Sequence, residues 1–410
     1  MHDFDPPQTA VLPQTRQARK KTQRKRPVGK WLARGLLALC FLSGLYFSLV
    51  PTGRATGRAL LILPGLLSAT QPAWQAPVDE PITATQTTVP SAAGTVYLNV
   101  YAPSASASPV PEAREGIVLI PGVGDQRTDA QLINFSQTLA HAGIVVMEMT
   151  TPALIANHID AGDKEAVVQA FHALQHWPGV STARIGLLGF SAGGPLMCLA
   201  AADPRVRDQI AFVALFGSYF DTTTMLQTIG RRAQTINGST QPWQPVAYPL
   251  QVLATTIAPF LPNNDGQSVE NAFLPGSTGS LTPQQIAQLA PGSAAAYHLL
   301  AGDQPDQVAA NVAALPSKVK TLLAGLSPSD VVSQIHVPIY LLHDRNDQFV
   351  PVSESHEFAA ALTRLHHPYD FAEFGIFQHV EVRSDLGVSQ LLGDGTTLLR
   401  LVSEVVQVSS

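Results

Sequence analysis

The tightest constraint in this chain is local. It is the stretch Arg184-Ile185-Gly186-Leu187-Leu188-Gly189-Phe190-Ser191-Ala192-Gly193-Gly194. Ile185 to Gly189 is a short apolar run and predicts a buried strand. Residues 189–193 then spell Gly-x-Ser-x-Gly. Pro195 to Ala202 is rich in Ala, Leu and Met and predicts a helix, which tolerates Pro195 in its first turn. A strand that turns at once into a helix must hold the residue at its tip at positive φ, at a cost of about 1–3 kcal/mol for a serine. Side chains two positions before and after that tip would collide where strand and helix cross. Gly189 and Gly193 carry none. The helix start also aims unpaired N–H groups at the surroundings of Ser191 Oγ. Strand, strained serine and helix together make a nucleophile elbow.

The segments around the elbow repeat one rhythm. Thr95 to Tyr101 alternates as a half-buried strand, and Gly116 to Ile120 and Ile144 to Met147 are continuous apolar strands. Asp129 to His141 predicts a helix with Leu132, Phe135 and Leu139 on one face, and Asp163 to Trp177 predicts another. Ile210 to Phe216 is a further buried strand. Apolar strands alternating with amphipathic helices predict an α/β fold: a mostly parallel central sheet flanked by helices. The rhythm breaks at Asp221. Short helices follow, one starting at Thr282-Pro283, one from Ser293 to Leu300 and one from Ser317 to Ala324. Strands resume at Ile339 to Leu342. A helix over 352–365, a strand over 369–374, a loop to His379 and a helix over 391–406 complete the chain. The insertion over 221–336 is expected to be a helical cap over the sheet's C-terminal edge; a helical domain without contact to that edge is the alternative.

The amino-terminal region calls for a different reading. The charge of the 410-residue chain is only −5, so no global attraction favours nucleic acid. Yet nine Lys and Arg residues crowd between Arg16 and Arg34, directly before the apolar run Leu36 to Val50. That run suffices for a short membrane span, and the flanking charge places the N-terminus in the cytoplasm and the rest outside. An uncleaved signal anchor is favoured, because no small-x-small cleavage site follows Val50; secretion after cleavage is the alternative. A second apolar run, Ala59 to Leu67, is too short to span and is expected at the membrane surface or docked on the domain. Gln71 to Ala93 reads as an extended linker. The expected organisation is a basic tail (1–34), a transmembrane anchor (35–53), a juxtamembrane segment and linker (54–93), the first part of the core (94–220), the cap (221–336) and the second part of the core (337–410). The two cysteines, Cys40 and Cys198, are poorly placed to pair. Oligomeric state is not legible.

A serine hydroxyl needs a base in reach, and the base needs an orienting acid. In an elbow fold they follow in the order Ser, Asp or Glu, His. Asp347, in the loop after the strand at 339–342, is the expected acid; Asp344 in the same loop is its rival and is expected to shape the turn. Of the later histidines, His356 falls inside a helix, and His366 and His367 sit at that helix's polar end. His379, after the last strand, is the expected base. The oxyanion donors are expected to be the N–H of Ala192, next to the nucleophile, and of Val123 in the loop Pro121-Gly122-Val123-Gly124. That loop is no phosphate cradle, since no Gly-Lys-Ser/Thr follows. The chemistry needs neither a metal nor an organic cofactor.

With these residues in place, residues from about 95 to 408 resemble an α/β-hydrolase. The likeness is nearest to the serine-bearing, dienelactone-hydrolase-like and prolyl-oligopeptidase-like branch. It rests on Arg184 to Gly194, on Asp203-Pro204-Arg205-Val206, and on the Asp347 loop ending in Val350-Pro351. The resemblance implies a sheet of the eight-stranded type and hydrolysis of an ester or related acyl bond through Ser191, His379 and Asp347. Two features depart from it: dienelactone hydrolases proper use a cysteine nucleophile, and many relatives carry His-Gly where this chain has Pro121-Gly122. Acyl transfer or peptide hydrolysis runs on the same constellation. A non-catalytic membrane-tethered binding protein would show a missing triad member. The apolar segments Tyr248 to Leu261 and Ala294 to Leu300 lean the expected small-molecule substrate towards an apolar acyl or lipid ester.

Overall fold

The computed structural model describes residues 45–47, 49–66, 81–104, 113–277, 280–383 and 388–408. The basic tail and most of the expected membrane span lie outside them. No helix among the described residues is long and apolar enough to cross a membrane. The described chain opens with helix α1 (Pro51–Leu66) and a strand hairpin, β1 (Ile82–Ser91) and β2 (Gly94–Pro103). Next come β3 (Arg114–Ile120), α2 (Ala130–His141), β4 (Val145–Thr150), α3 (Asp163–Gln175), β5 (Val180–Phe190), α4 (Gly193–Ala201) and β6 (Ile210–Phe216). After the insertion come β7 (Ile339–Asp344), α5 (Ser353–Arg364), β8 (Tyr369–Phe374) and α6 (Val388–Val408).

The eight strands form one sheet in the order β1-β2-β4-β3-β5-β6-β7-β8. Strand β2 pairs antiparallel with β1 and with β4, and every other neighbour is parallel, so β2 alone is reversed. This is the α/β-hydrolase fold, with β5 and its elbow at the centre. Because side chains alternate along a strand, the sheet feeds two separate cores. Val118, Ile120, Leu187, Val213 and Leu341 point into one, covered by α3, α4, α5 and the insertion. Ile117, Leu119, Phe212, Phe216 and Phe374 point into the other, covered by α1, α2 and α6.

One segment differs from its sequence reading, and a second takes one of its two expected placements. The sheet begins at Ile82, inside the stretch read as linker. Strand β1 is polar and exposed along most of its length, so it shows no apolar alternation, and its extended conformation comes from pairing with β2 across the turn at Ser91–Gly94. The second apolar run docks. Helix α1 buries Ala55, Ala59 and Ile62 against the domain while Leu60 and Leu61 stay exposed. Arg58 holds it in place, with Nη1 2.8 Å from Glu115 Oε1 and Nη2 donating to Ala142 O.

The insertion between β6 and β7 is mainly helical, with helices at Thr222–Arg231, Ala247–Ile257, Asp265–Phe273, Pro283–Gln288, Pro291–Ala301, Val308–Ala314 and Ser317–Gly325. The Thr282 capping box with Gln285 starts one of them, and Gly302 at φ 63° ends another. The insertion also holds a small hairpin, Ala233–Ile236 with Ser239–Pro242. Its turn is Asn237-Gly238, both at positive φ, which is the strongest short-range hairpin signal a sequence carries.

Candidate active site

Ser191 stands at the tip between β5 and α4 with φ 51°, the strained conformation the sequence demands. Its N–H donates to Phe216 O on the neighbouring strand at 2.8 Å. The flanking glycines are obligatory here. A Cβ on Gly189 would lie 2.5 Å from Gly194 Cα, and one on Gly193 would lie 2.7 Å from Ile120 O. The loop after β3 lies against the serine, since a Cβ on Gly122 would fall 3.6 Å from Ser191 Cβ. Val123 and Ala192 are both buried. Neither N–H has a protein acceptor among the described residues, and Ala192 precedes the first turn of α4. Two uncommitted donors thus flank the serine, the arrangement that stabilises an oxyanion.

The structure brings His379 and Asp347 together. His379 Nδ1 lies 2.6 Å from Asp347 Oδ2, which leaves Nε2 to exchange a proton. His379 occupies the turn of a short hairpin, Phe377–Gln378 with Glu381–Val382, at φ 60°. The Phe349 ring stacks on its imidazole, centroids 4.6 Å apart. Asp347 is buried, and its Oδ1 accepts from the N–H groups of Phe349 and Val350 at 2.7 and 3.0 Å. Burial alone would raise this carboxyl. The charge of His379 and hydrogen bonds from His343 and His379 outweigh burial and hold it well below the usual carboxylate range. Asp344 does something else: Oδ1 accepts from Asn346 N and Oδ2 from His379 N at 3.1 Å, so it fixes the turn and the histidine's backbone. His356, on α5, faces Phe371 of β8, His366 is exposed, and His367 Nε2 bonds Val337 O; none of the three lines the cavity at Ser191.

Two supporting residues had only faint signals. His343 is fully buried, with Nδ1 2.7 Å from Ser355 Oγ, and Nε2 3.0 Å from Val350 O and 3.4 Å from Asp347 Oδ2. It braces the acid from below, and its spacing in His-x-x-x-Asp is the one hint the sequence carries. Gly217, φ 60°, follows β6. A Cβ there would come within 3.0 Å of His379 Nδ1 and 3.3 Å of Asp347 Oδ2. A side chain at this position would push the pair apart.

The insertion reaches the site. Trp243 Nε1 donates to Asp347 O at 2.6 Å, and Val246 N donates to Gln348 O at 3.0 Å. These contacts join the insertion to the loop that carries Asp347. The insertion's apolar segments, however, are mostly self-packed. Val252, Leu253, Ala254 and Ile257 are buried, as are Ala295, Ala296, Leu299 and Leu300, and none of these lines the cavity at Ser191. Tyr248 does, bonded through its hydroxyl to Asn157 Oδ1. Cys198 is fully buried in α4, and burial pushes its thiol up, so it is no rival nucleophile. Among the described residues no group of three or more His, Cys, Asp or Glu side chains is arranged to hold a metal ion.

No family model matches the chain, and no curated protein matches it in sequence. Among solved structures it is similar to dipeptidyl peptidase 4 of Porphyromonas gingivalis, at 12% identity over 80% of this chain and 36% of that one, with a TM-score of 0.47. It is similar to a puromycin-hydrolyzing peptidase of Mycobacterium tuberculosis, at 16% identity over 79% of this chain and 39% of that one, TM-score 0.46. It is also similar to esterase B of Lactobacillus Rhamnosis, at 15% identity over 92% of this chain and 96% of that one, TM-score 0.44. The chain spans well under half the length of the two peptidases.

Proposed function

We propose that this chain is a serine hydrolase that cleaves a carboxylic ester or related acyl bond. The observation that carries the reading is the pairing of His379 Nδ1 with the buried Asp347 carboxylate, both placed with Ser191 at the C-terminal edge of one sheet. Ser191 Oγ attacks the acyl carbon and its proton passes to His379 Nε2. The carbonyl oxygen becomes an oxyanion facing the Val123 and Ala192 N–H groups. Collapse expels the alcohol, which takes the proton from His379, and leaves an ester on Ser191. Water, deprotonated by His379, attacks that ester; the acid is released and the proton returns to Ser191. Asp347 keeps the imidazole oriented and stabilises its charged form. The motifs at 184–194, 203–206 and 347–351 support a dienelactone-hydrolase-like or prolyl-oligopeptidase-like enzyme rather than another branch.

Membrane attachment belongs to the same proposal. The basic block before Leu36 to Val50 supports an N-terminal anchor with the catalytic domain outside the cytoplasm. So does the exposed apolar surface of Tyr46, Leu49, Val50, Leu60 and Leu61 at the start of the described chain. A fluorophosphonate probe tests the chemistry. The folded protein is expected to be labelled once and the Ser191→Ala variant not at all; labelling that survives the substitution, or no labelling of folded protein, rules the assignment out.

A further inference from the structure

Among the described residues, one face of the central sheet is not filled. A cavity of about 760 Å³ lies between that face and helices α1, α2 and α6, and Ser191 and His379 form part of its wall. Its volume falls within the range of about 300–1,000 Å³ typical of small-molecule sites. The floor is built by alternate residues of the central strands, among them Leu188, Phe190, Phe212 and Phe216; Phe135 and Val402 stand in the helices above. Large apolar residues on the central strands of a covered sheet are ordinarily buried. Leu188, Phe190 and Leu342 are only partly buried, as is Phe135 opposite, because they face this space.

The cavity has a direction. On β6 its wall runs from Phe216, beside the elbow, back to Phe212. At the Phe212 end the neighbouring wall residues are Ile117 and Ile144, so whatever reaches that end meets hydrocarbon. Near the elbow the wall turns polar, with Gln126, which donates to Val123 O, and Gln378, next to His379.

We propose that this cavity is an acyl-chain tunnel. The substrate's carbonyl sits at Ser191, and its medium or long apolar acyl chain runs beneath the sheet against the C-terminal helix α6. The proposal rests on the serine-hydrolase reading of Ser191 and names its substrate class. It also moves selectivity away from the insertion, which contributes Tyr248 to the wall, and onto α2, α6 and the underside of the sheet.

The test compares kcat/KM of the full-length protein for an aryl dodecanoate and an aryl acetate. The dodecanoate is expected to be preferred. Val402→Trp on α6 and Leu342→Trp on β7 each place an indole in the cavity and are expected to lower the dodecanoate-to-acetate ratio by about tenfold or more. Two sites on different elements keep the result readable if one variant misfolds. Binding of the fluorescent fatty acid cis-parinaric acid to Ser191→Ala gives a second readout that does not need catalysis; Val402→Trp in that background is expected to weaken it by a similar factor. A wild-type preference for acetate, or ratios that do not move in either folded variant, overturns the tunnel. If no ester is cleaved yet cis-parinaric acid binds and Val402→Trp abolishes binding, the cavity stands as an acyl site and the hydrolase reading falls instead.

Discussion

The two faces of the central sheet receive the same kind of strand and are finished differently. On the face under α3 and α4, Ala166, Val167, Phe171, Leu174, Leu196 and Met197 are all fully buried, and the elbow helix sits in a dense core. On the face under α1, α2 and α6, Leu188, Phe190 and Leu342 remain partly exposed to a cavity that reaches Ser191. The first face holds the strained elbow in shape. Strain at Ser191 persists only while its surroundings over-determine it, and a close-packed interior supplies that. The second face is free of this duty, and the space that the described residues leave there falls beside Ser191.

Three changes break or sharpen this contrast. The largest effect is expected from the reacting groups between the faces. His379→Ala should lower kcat by about 10⁴–10⁶-fold while circular dichroism stays near wild type; a loss below about tenfold would remove His379 from the role of base. Next is the same deletion made on each face. Leu174→Ala opens a void in the filled core and is expected to cost about 3–5 kcal/mol in denaturant unfolding. Leu188→Ala only enlarges existing space and is expected to cost about 1 kcal/mol, since the side chain loses few neighbours. Equal costs would mean that the second face closes up in solution.

A further effect is a pH dependence, tested at one buried carboxyl on the filled face. Asp163, at the start of α3, is buried, and burial pushes its carboxyl up to about 7; the Thr151 hydroxyl opposes the rise and the charge of Asp160 adds to it. Its Oδ1 has no partner among the described residues. The folded chain therefore keeps a proton that the unfolded chain gives up above a pH of about 3.9. Stability is expected to fall as pH rises from about 4 to about 7 and to level off above that. Melting temperatures of Asp163→Asn between these limits should vary less than those of wild type; an unchanged slope would show that other groups carry the dependence.

Much of the fold was legible because its determinants are short-range. The elbow needs a glycine on either side of Ser191, and buried parallel strands are continuous apolar runs whatever they pair with. The order Ser191, Asp347, His379 narrowed the candidate site to a few positions, and the geometry has His379 and Asp347 in contact. Strand β1 was missed because an exposed edge strand carries no apolar alternation, and its conformation is imposed by β2. Asn237-Gly238 did announce a hairpin inside the insertion, where the helical punctuation around it drew the reading away. His343 and Gly217 matter only through what stands next to them in space. The apolar helices of the insertion suggested a lipid-lined cap, yet most of that surface is consumed by their own packing.

The sequence by itself determined the elbow and the alternation of strands and helices. Each of these follows from sterics and periodicity within about a dozen residues. Only the tertiary structure decided which carboxylate holds His379, how Asp344 and Gly217 seat that pair, and which face of the sheet the described residues leave hollow. A cavity is the shortfall when side chains from β3, β5, β6, β7, α1, α2 and α6 meet, and no segment encodes it alone.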